Sequence, residues 1–234
     1  KNPEAWKQRG HVFVVADGMG AHAVGELASK MACDSIPHQY LKIRNATPSE
    51  ALIKAYLDVG TQIHSKASVN SDFRGMGTTC STLVLLPQGA IIAHVGDSRV
   101  YRVRGEQIDQ LSFDHSLAWE LNRLNQISPE TATKSVPKNV ITRSLGPDPK
   151  VEVDIEGPMP VLAGDVFILC SDGLSGQVSD SEIGAFASQF HPEDAARFLL
   201  ALANLRGGPD NITAIVVRVG EWRVLPELTQ QPRK

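Results

Sequence analysis

The chain has 234 residues, 42% of them hydrophobic, with 23 lysines and arginines against 26 aspartates and glutamates and a net charge of −3. That length suits one domain or two small ones, and the apolar content supplies a sizeable core. The slightly acidic balance gives no basic footprint for nucleic acid or an anionic membrane, and no apolar run approaches the roughly 20 residues of a membrane span.

The three cysteines, Cys33, Cys80 and Cys170, are far apart and include no Cys-x-x-Cys pattern. They read as reduced thiols of a cytosolic protein, and neither a disulfide nor zinc is expected. No signal peptide is visible, but the chain opens on Lys1 rather than Met and reads as a fragment of something longer.

The first element is "HVFVVADG", residues 11–18, an apolar, β-branched strand that runs straight into Asp17. Gly18 to Ala23 fit the Gly-x-Gly-x-x-Ala turn of a dinucleotide-binding unit. Alternatively Asp17 is itself the working group, and the glycines let the backbone come close to something bound beside it. Two helices follow. The first carries Val24, Leu27, Ala28, Met31, Ala32 and Ile36 at helical spacing; the second opens on a Thr47, Pro48, Glu50 capping box. A dinucleotide unit needs strand, helix and strand within about 30 residues, and the second strand is missing.

From residue 78 the pattern becomes a meander of short antiparallel strands with turns at 87–89, 96–98 and 104–106. Residues 113–148 read as a polar flap with a helical piece near 116–126, since so long a stretch with little regular structure suits a binding loop. Strands return at "VEVDIE" and "DVFILCSDG". Helices are expected at 179–189 and 192–206, then a last strand, "NITAIVVRV", and a polar tail at 223–234 that frays. The whole predicts an α+β fold, two antiparallel sheets packed together with helices outside.

The strand that meets an aspartate recurs. Asp97 ends "AIIAHVGD", Asp172 ends "VFILCSD", and Asp210 precedes "NITAIVV". Any one of these reads as a turn or cap residue. Four together, on strands lying side by side, would crowd carboxylates at one rim, where only something positive relieves the repulsion. No lysines or arginines cluster there, so a hard divalent cation with oxygen ligands is implied, and a pair of such ions suits phosphoryl chemistry. The same charge argues against a pyrophosphate beside Asp17.

These residues also resemble a known family. "VVADGMGAHAVGELAS", "GMGTTCSTLVL", "AHVGDSRVYRVRGEQIDQLSFDHS", "ITRSLG", "GDVFILCSDGL" and "GGPDNITAIVV" resemble, in order, the motifs of bacterial metal-dependent protein Ser/Thr phosphatases of the 2C type, over about residues 11–219. The resemblance implies a four-layer α/β/β/α sandwich in a single domain over 1–222, with two Mn²⁺ or Mg²⁺ ions at one end. It implies that Asp17 bridges both ions, the Gly18 carbonyl serves one, and Asp172 and Asp210 hold the other. Asp97 would share a third, weaker ion with Asp172, Asn211 would stand behind Asp210, and Glu26 would be either a first-turn helix residue or a support for the site. The implied reaction is hydrolysis of phosphoserine and phosphothreonine by a metal-bridging water, without a phosphoenzyme. A cytoplasmic monomer opposing a Ser/Thr kinase is expected.

Two departures stand out. Ala21 replaces a usual glycine, and "KNPEAWKQRG" lacks the family's phosphate-gripping arginine and acidic motif. Arg9 lies too close to the strand to be that arginine. Either the sequence begins inside the family's domain, which is the expectation, or this member is a catalytically weak pseudophosphatase that binds phosphoproteins. Met19 stands where animal members have a histidine and cannot transfer a proton. His22 could act as a general acid but reads better as structural; His115 reads as ordering the flap, and Cys170 as core.

Overall fold

The computed structural model describes residues 7–20, 22–124 and 140–221, His22 by its backbone. Ala21, the His22 side chain, the middle of the expected flap and the tail at 223–234 lie outside the described residues.

Besides a helical piece at 7–9, ten strands and six α-helices are seen among the described residues, the third helix, α3, being Leu117–Arg123. Strands β1 (His11–Val15), β4 (Cys80–Leu86), β5 (Gly89–Val95) and β8 (Asp154–Met159) form one sheet in the order β1-β4-β5-β8. Strands β6 (Arg99–Arg104), β7 (Gln107–Gln110), β9 (Val166–Cys170) and β10 (Ala214–Arg218) form the second, ordered β10-β9-β6-β7. All their pairings are antiparallel. A two-residue ladder joins β2 (Gly18–Met19) to β3 (Gly77–Thr78).

The alternation of side chains explains the layers. Leu83 and Leu85 of β4, Ile92 of β5 and Phe167 and Leu169 of β9 point into the core between the sheets. Val84, Leu86, Ile91, Ala93 and Val95 point the other way, onto helices α1 (His22–Lys42) and α2 (Pro48–Val69). Ile168 and Cys170 pack outward against α5 (Asp180–Gln189) and α6 (Pro192–Leu205). Strands buried on both faces need no polar alternation, so these runs read as continuously apolar. The expected four-layer α/β/β/α sandwich is the one observed. No helix among the described residues is long and apolar enough to cross a membrane.

Helix α1 buries Val24, Ala28, Ala32, Ile36 and Tyr40, a strict i, i+4 stripe. Helix α2 starts on the expected capping box, with Thr47 N–H donating to Glu50 Oε2 at 2.8 Å and Glu50 N–H to Thr47 Oγ1 at 3.3 Å. Strand β8 is displaced from the "VEVDIE" expectation to 154–159. Val151 and Val153 pack instead against the helix-side core, and pairing with β5 begins only at Asp154.

Tyr56 of α2 drives its hydroxyl into the first sheet, 2.8 Å from Thr82 Oγ1 and donating to the Ala93 carbonyl at 2.9 Å. All three groups are buried, so Tyr56→Phe leaves polar atoms short of a partner. A stability loss of about 1–2 kcal/mol is expected in urea unfolding. An unchanged midpoint would mean that the helix is held to the sheet by apolar contact alone.

Candidate active site

The registers of the two sheets place the four aspartates. Val15, the last residue of β1, pairs with Ser81 at the start of β4, and Val95, the last of β5, pairs with Cys80. Asp17 and Asp97 therefore leave the first sheet at the same rim. In the second sheet Cys170, the last residue of β9, pairs with Arg99 on one side and Ala214 on the other. Asp97, Asp172 and Asp210 therefore sit at one rim there. The segment 96–98 crosses between the sheets, so the two rims are one site. The carboxylates come from two facing sheets rather than from the single row of strands that the sequence suggested.

Neutral hydroxyl and amide groups fasten these ends. Asp17 N–H donates to Thr79 Oγ1 at 2.9 Å, and the Asp17 carbonyl accepts from Thr79 N–H at 2.8 Å and Thr78 Oγ1 at 2.9 Å. Thr79 Oγ1 also lies 2.7 Å from Ser98 Oγ, which ties the Asp17 strand end to the Asp97 loop. On the second sheet Ser171 Oγ accepts from Thr213 N–H at 3.0 Å and donates to the Asn211 carbonyl at 3.3 Å. Asp172 opens a four-residue helix, α4 (Asp172–Ser175). Its neighbour Gly173 lies so near Asn211 that a Cβ there would be 2.2 Å from the Asn211 carbonyl oxygen, and that contact brings Asp172 and Asp210 together.

The result is electrostatically unfavourable without a cation. Burial, then the charges of Asp172 and Asp210, push the Asp17 carboxyl up to about 7. Burial, then Asp172 and Asp114, push Asp97 up to about 7 as well. Asp172 is raised by burial and by Asp210, and its Oδ1 is buried with no hydrogen-bond partner. The neighbouring cation, Arg99, is held by Asp114 through bonds of 2.9 and 2.6 Å. A crowded, orphaned set of carboxylate oxygens fits a hard divalent ion. Among the described residues no three His, Cys, Asp or Glu side chains form a group that could hold an ion alone.

A family model described as protein phosphatase 2C matches residues 4–204. The chain belongs to the protein phosphatase 2C family. It is 37% identical over 213 residues to protein phosphatase PhpP of Streptococcus pneumoniae, covering 90% of this chain and 86% of that protein. The crystal structure of the serine/threonine phosphatase PstP/Ppp of Mycobacterium tuberculosis superimposes with a TM-score of 0.81 at 31% identity, over 90% of this chain and 88% of that one. A PstP catalytic domain in complex with two manganese ions superimposes with a TM-score of 0.78 at 30% identity, again over 90% and 88%.

Seen as a protein phosphatase 2C site, the structure brings Asp17, Asp172, Asp210 and Asp97 into mutual electrostatic contact. Gly18 lies beside Asp17 in β2, and a Cβ on it would be 1.9 Å from the Gly25 carbonyl oxygen. The close approach that its glycine permits is thus to helix α1. Asn211 braces Asp210 through its backbone, with its N–H donating to Asp210 Oδ1 at 2.7 Å. Glu26 is exposed on α1 beyond the first turn, which holds no acidic residue, and no hydrogen bond among the described residues ties its carboxylate to the aspartates. Arg9 is buried at the opposite end of β1, stacks on Tyr40 and donates to the carbonyls of Ile43 and Ala46. It closes the end of α1 and takes no part in the site. Cys170 is core, its thiol pushed up to about 12 by burial.

Thr79, Ser98 and Ser171 went unread in the sequence, because a hydroxyl that serves a carboxylate from tens of residues away has no local signature. The one available signal was position: each sits beside a strand end inside a motif that was noted for its aspartate or glycine.

The raised carboxyls have a definite consequence for stability. Folding lifts Asp17 and Asp97 from 3.8 to about 7, so between those values the folded chain binds more protons than the unfolded one. Their contribution is present in full below about pH 4 and lost as pH rises through about 7. Thermal unfolding in EDTA is expected to show this loss between pH 5 and pH 8, and Asp17→Asn to reduce it. A variant that loses as much as the parent would show that Asp17 does not titrate in this window.

Proposed function

We propose that the chain hydrolyses phosphoserine and phosphothreonine in proteins with the help of Mn²⁺ or Mg²⁺ held at the four-aspartate rim. The observation that carries this is Asp172 Oδ1, buried without a partner among carboxylates that raise one another's pKa. The family membership and the manganese complex of the PstP relative support the same reading. Asp17 would serve two ions with the Gly18 carbonyl beside it, Asp172 and Asp210 would complete the pair, and Asp97 with Asp172 would hold a third.

When bound, such ions supply positive charge to the phosphoryl oxygens and make a water nucleophilic near neutral pH. The chain's own residues provide position and proton balance. The Thr79 and Ser171 hydroxyls hold the two carboxylate-bearing strand ends by accepting backbone N–H groups, bonds that bring no charge into the site. The Asp17 and Asp97 carboxyls are raised to about 7, and since ligands bind as carboxylates, loading the site releases protons near neutral pH. Metal uptake on this reading strengthens as pH rises.

A cytoplasmic monomer that opposes a Ser/Thr kinase fits the unpaired Cys33, Cys80 and Cys170. No observation among the described residues favours a binding-only relative.

The test is hydrolysis of p-nitrophenyl phosphate and of a phosphothreonine peptide with Mn²⁺, with EDTA, and by Asp172→Asn. Turnover is expected to require the metal and to fall by about 100-fold or more in the variant, the scale seen when a main electrostatic contributor is removed. Undiminished turnover in EDTA or in the variant would overturn the proposal.

A further inference from the structure

His115 holds the residue before Asp97 by both of its backbone groups. The His115 N–H donates to the Gly96 carbonyl at 2.8 Å, and the Gly96 N–H lies 3.0 Å from His115 Nδ1. A backbone N–H can only donate, so Nδ1 carries no proton and the ring hydrogen is on Nε2. Nε2 donates to Asp154 Oδ2 at 2.9 Å, and Asp154 Oδ1 accepts from Arg143 at 3.0 Å. The tautomer that Gly96 needs is thus the one that Asp154 enforces.

The surroundings leave the ring little freedom. His115 is 4% exposed, and its ring centroid is 5.0 Å from that of His94. Burial lowers His94 to about 4, so it is neutral at pH 7. Its Nε2 faces the carbonyls of Gly96 and Phe113 at 2.9 and 3.1 Å, and its Nδ1 lies 2.9 Å from Ser81 Oγ. His115 thus holds both backbone groups of Gly96, His94 meets its carbonyl, and the next residue along the chain is Asp97. No side chain need fix Gly96 so completely merely to close the turn between two adjacent strands.

We propose that His115 is a positioning residue: by accepting the Gly96 N–H it holds Asp97 at the carboxylate rim, and so sets the affinity of the ion that Asp97 serves. The proposal rests on the metal reading of the site. A purely structural role would require only that the ring fill its space and tie residues 113–116 to β8. The two roles separate in substitution. His115→Phe keeps the ring's bulk and loses both bonds. His115→Asn places an amide oxygen where Nδ1 stands, keeping the Gly96 bond and losing the one to Asp154.

The experiment is a Mn²⁺ titration followed by electron paramagnetic resonance on the parent, both variants and Asp97→Asn, with hydrogen exchange of the Gly96 amide measured without metal. His115→Phe and Asp97→Asn are expected to weaken the same Mn²⁺ by about 10-fold or more, the usual cost of losing a group that orients a ligand. His115→Asn is expected to bind like the parent and to keep the Gly96 amide protected, which His115→Phe exposes. If His115→Phe binds every Mn²⁺ as the parent does, or if His115→Asn is as weak as His115→Phe, the inference is overturned. If Asp97→Asn itself alters no Mn²⁺, the metal reading of Asp97 has failed and takes the inference with it.

Discussion

Mutual repulsion among four carboxylates is the constraint on which this molecule turns. Asp17, Asp97 and Asp172 are partly buried and raise one another's pKa, and a folded chain keeps such an arrangement only if something else holds the strand ends in place. The work falls to groups without charge: the Thr78 and Thr79 hydroxyls on Asp17, Ser98 on Thr79, and Ser171 on the Asn211 loop. Arg99, a cation that acts on Asp97, is itself held by Asp114. Pairing with an arginine would stabilise the apo protein more, but it would also fill the position that a divalent ion needs. The site is destabilised by design of its partners, and the two apolar layers on either side of the sheets supply the stability it lacks.

The sandwich suits this task because antiparallel register couples position to facing. Cys170 pairs with both Arg99 and Ala214, so the approach to Asp97, the start of α4 and the approach to Asp210 are aligned within one residue. A slip of one residue in either pairing would turn Phe167 and Leu169 from the inter-sheet core to the helix side. The large apolar content of these strands therefore fixes the aspartates' alignment as well as the fold.

Much of this was legible in the chain. Continuous β-branched runs, the Thr47 to Glu50 capping box and the i, i+4 stripe of α1 are local signals, and each element they announced is present. The four aspartates could be read because each repeats the same local grammar, an apolar strand meeting a carboxylate beside a small residue. What escaped is what depends on distant partners. The β2–β3 ladder is two residues long on each side, too short to show alternation. Helix α4 is one turn, and its Asp172 looked like a strand end because nothing in "CSDG" distinguishes a turn from a helix start. The start of β8 is set by its pairing with β5, which the alternation of "VEVDIE" does not encode. Gly18 is expected to let the backbone approach a bound group, and the neighbour it admits is the backbone of α1.

The expected flap is held at both of its ends. Its two bases are anchored to the rim: Ser116 bridges Ile141, and Leu145 bridges Thr78 while its side chain fills the core beside α2. His115 on one base and Arg143 on the other meet at Asp154. Both ends of the segment are therefore attached to the strand ends that carry Asp17 and Asp97. Between them Phe113 and Trp119 pack at 5.6 Å and, with Glu120 and Arg123, line a cavity of about 80 Å³ whose floor includes Asp154. His115 and Arg143 line that cavity too, so its wall includes the two residues that meet at Asp154, and His115 and Leu145 each contact the backbone that orders the rim. The cavity and the carboxylate rim therefore rest on one support, the bonds that join Asp154 to His115 and His115 to Gly96.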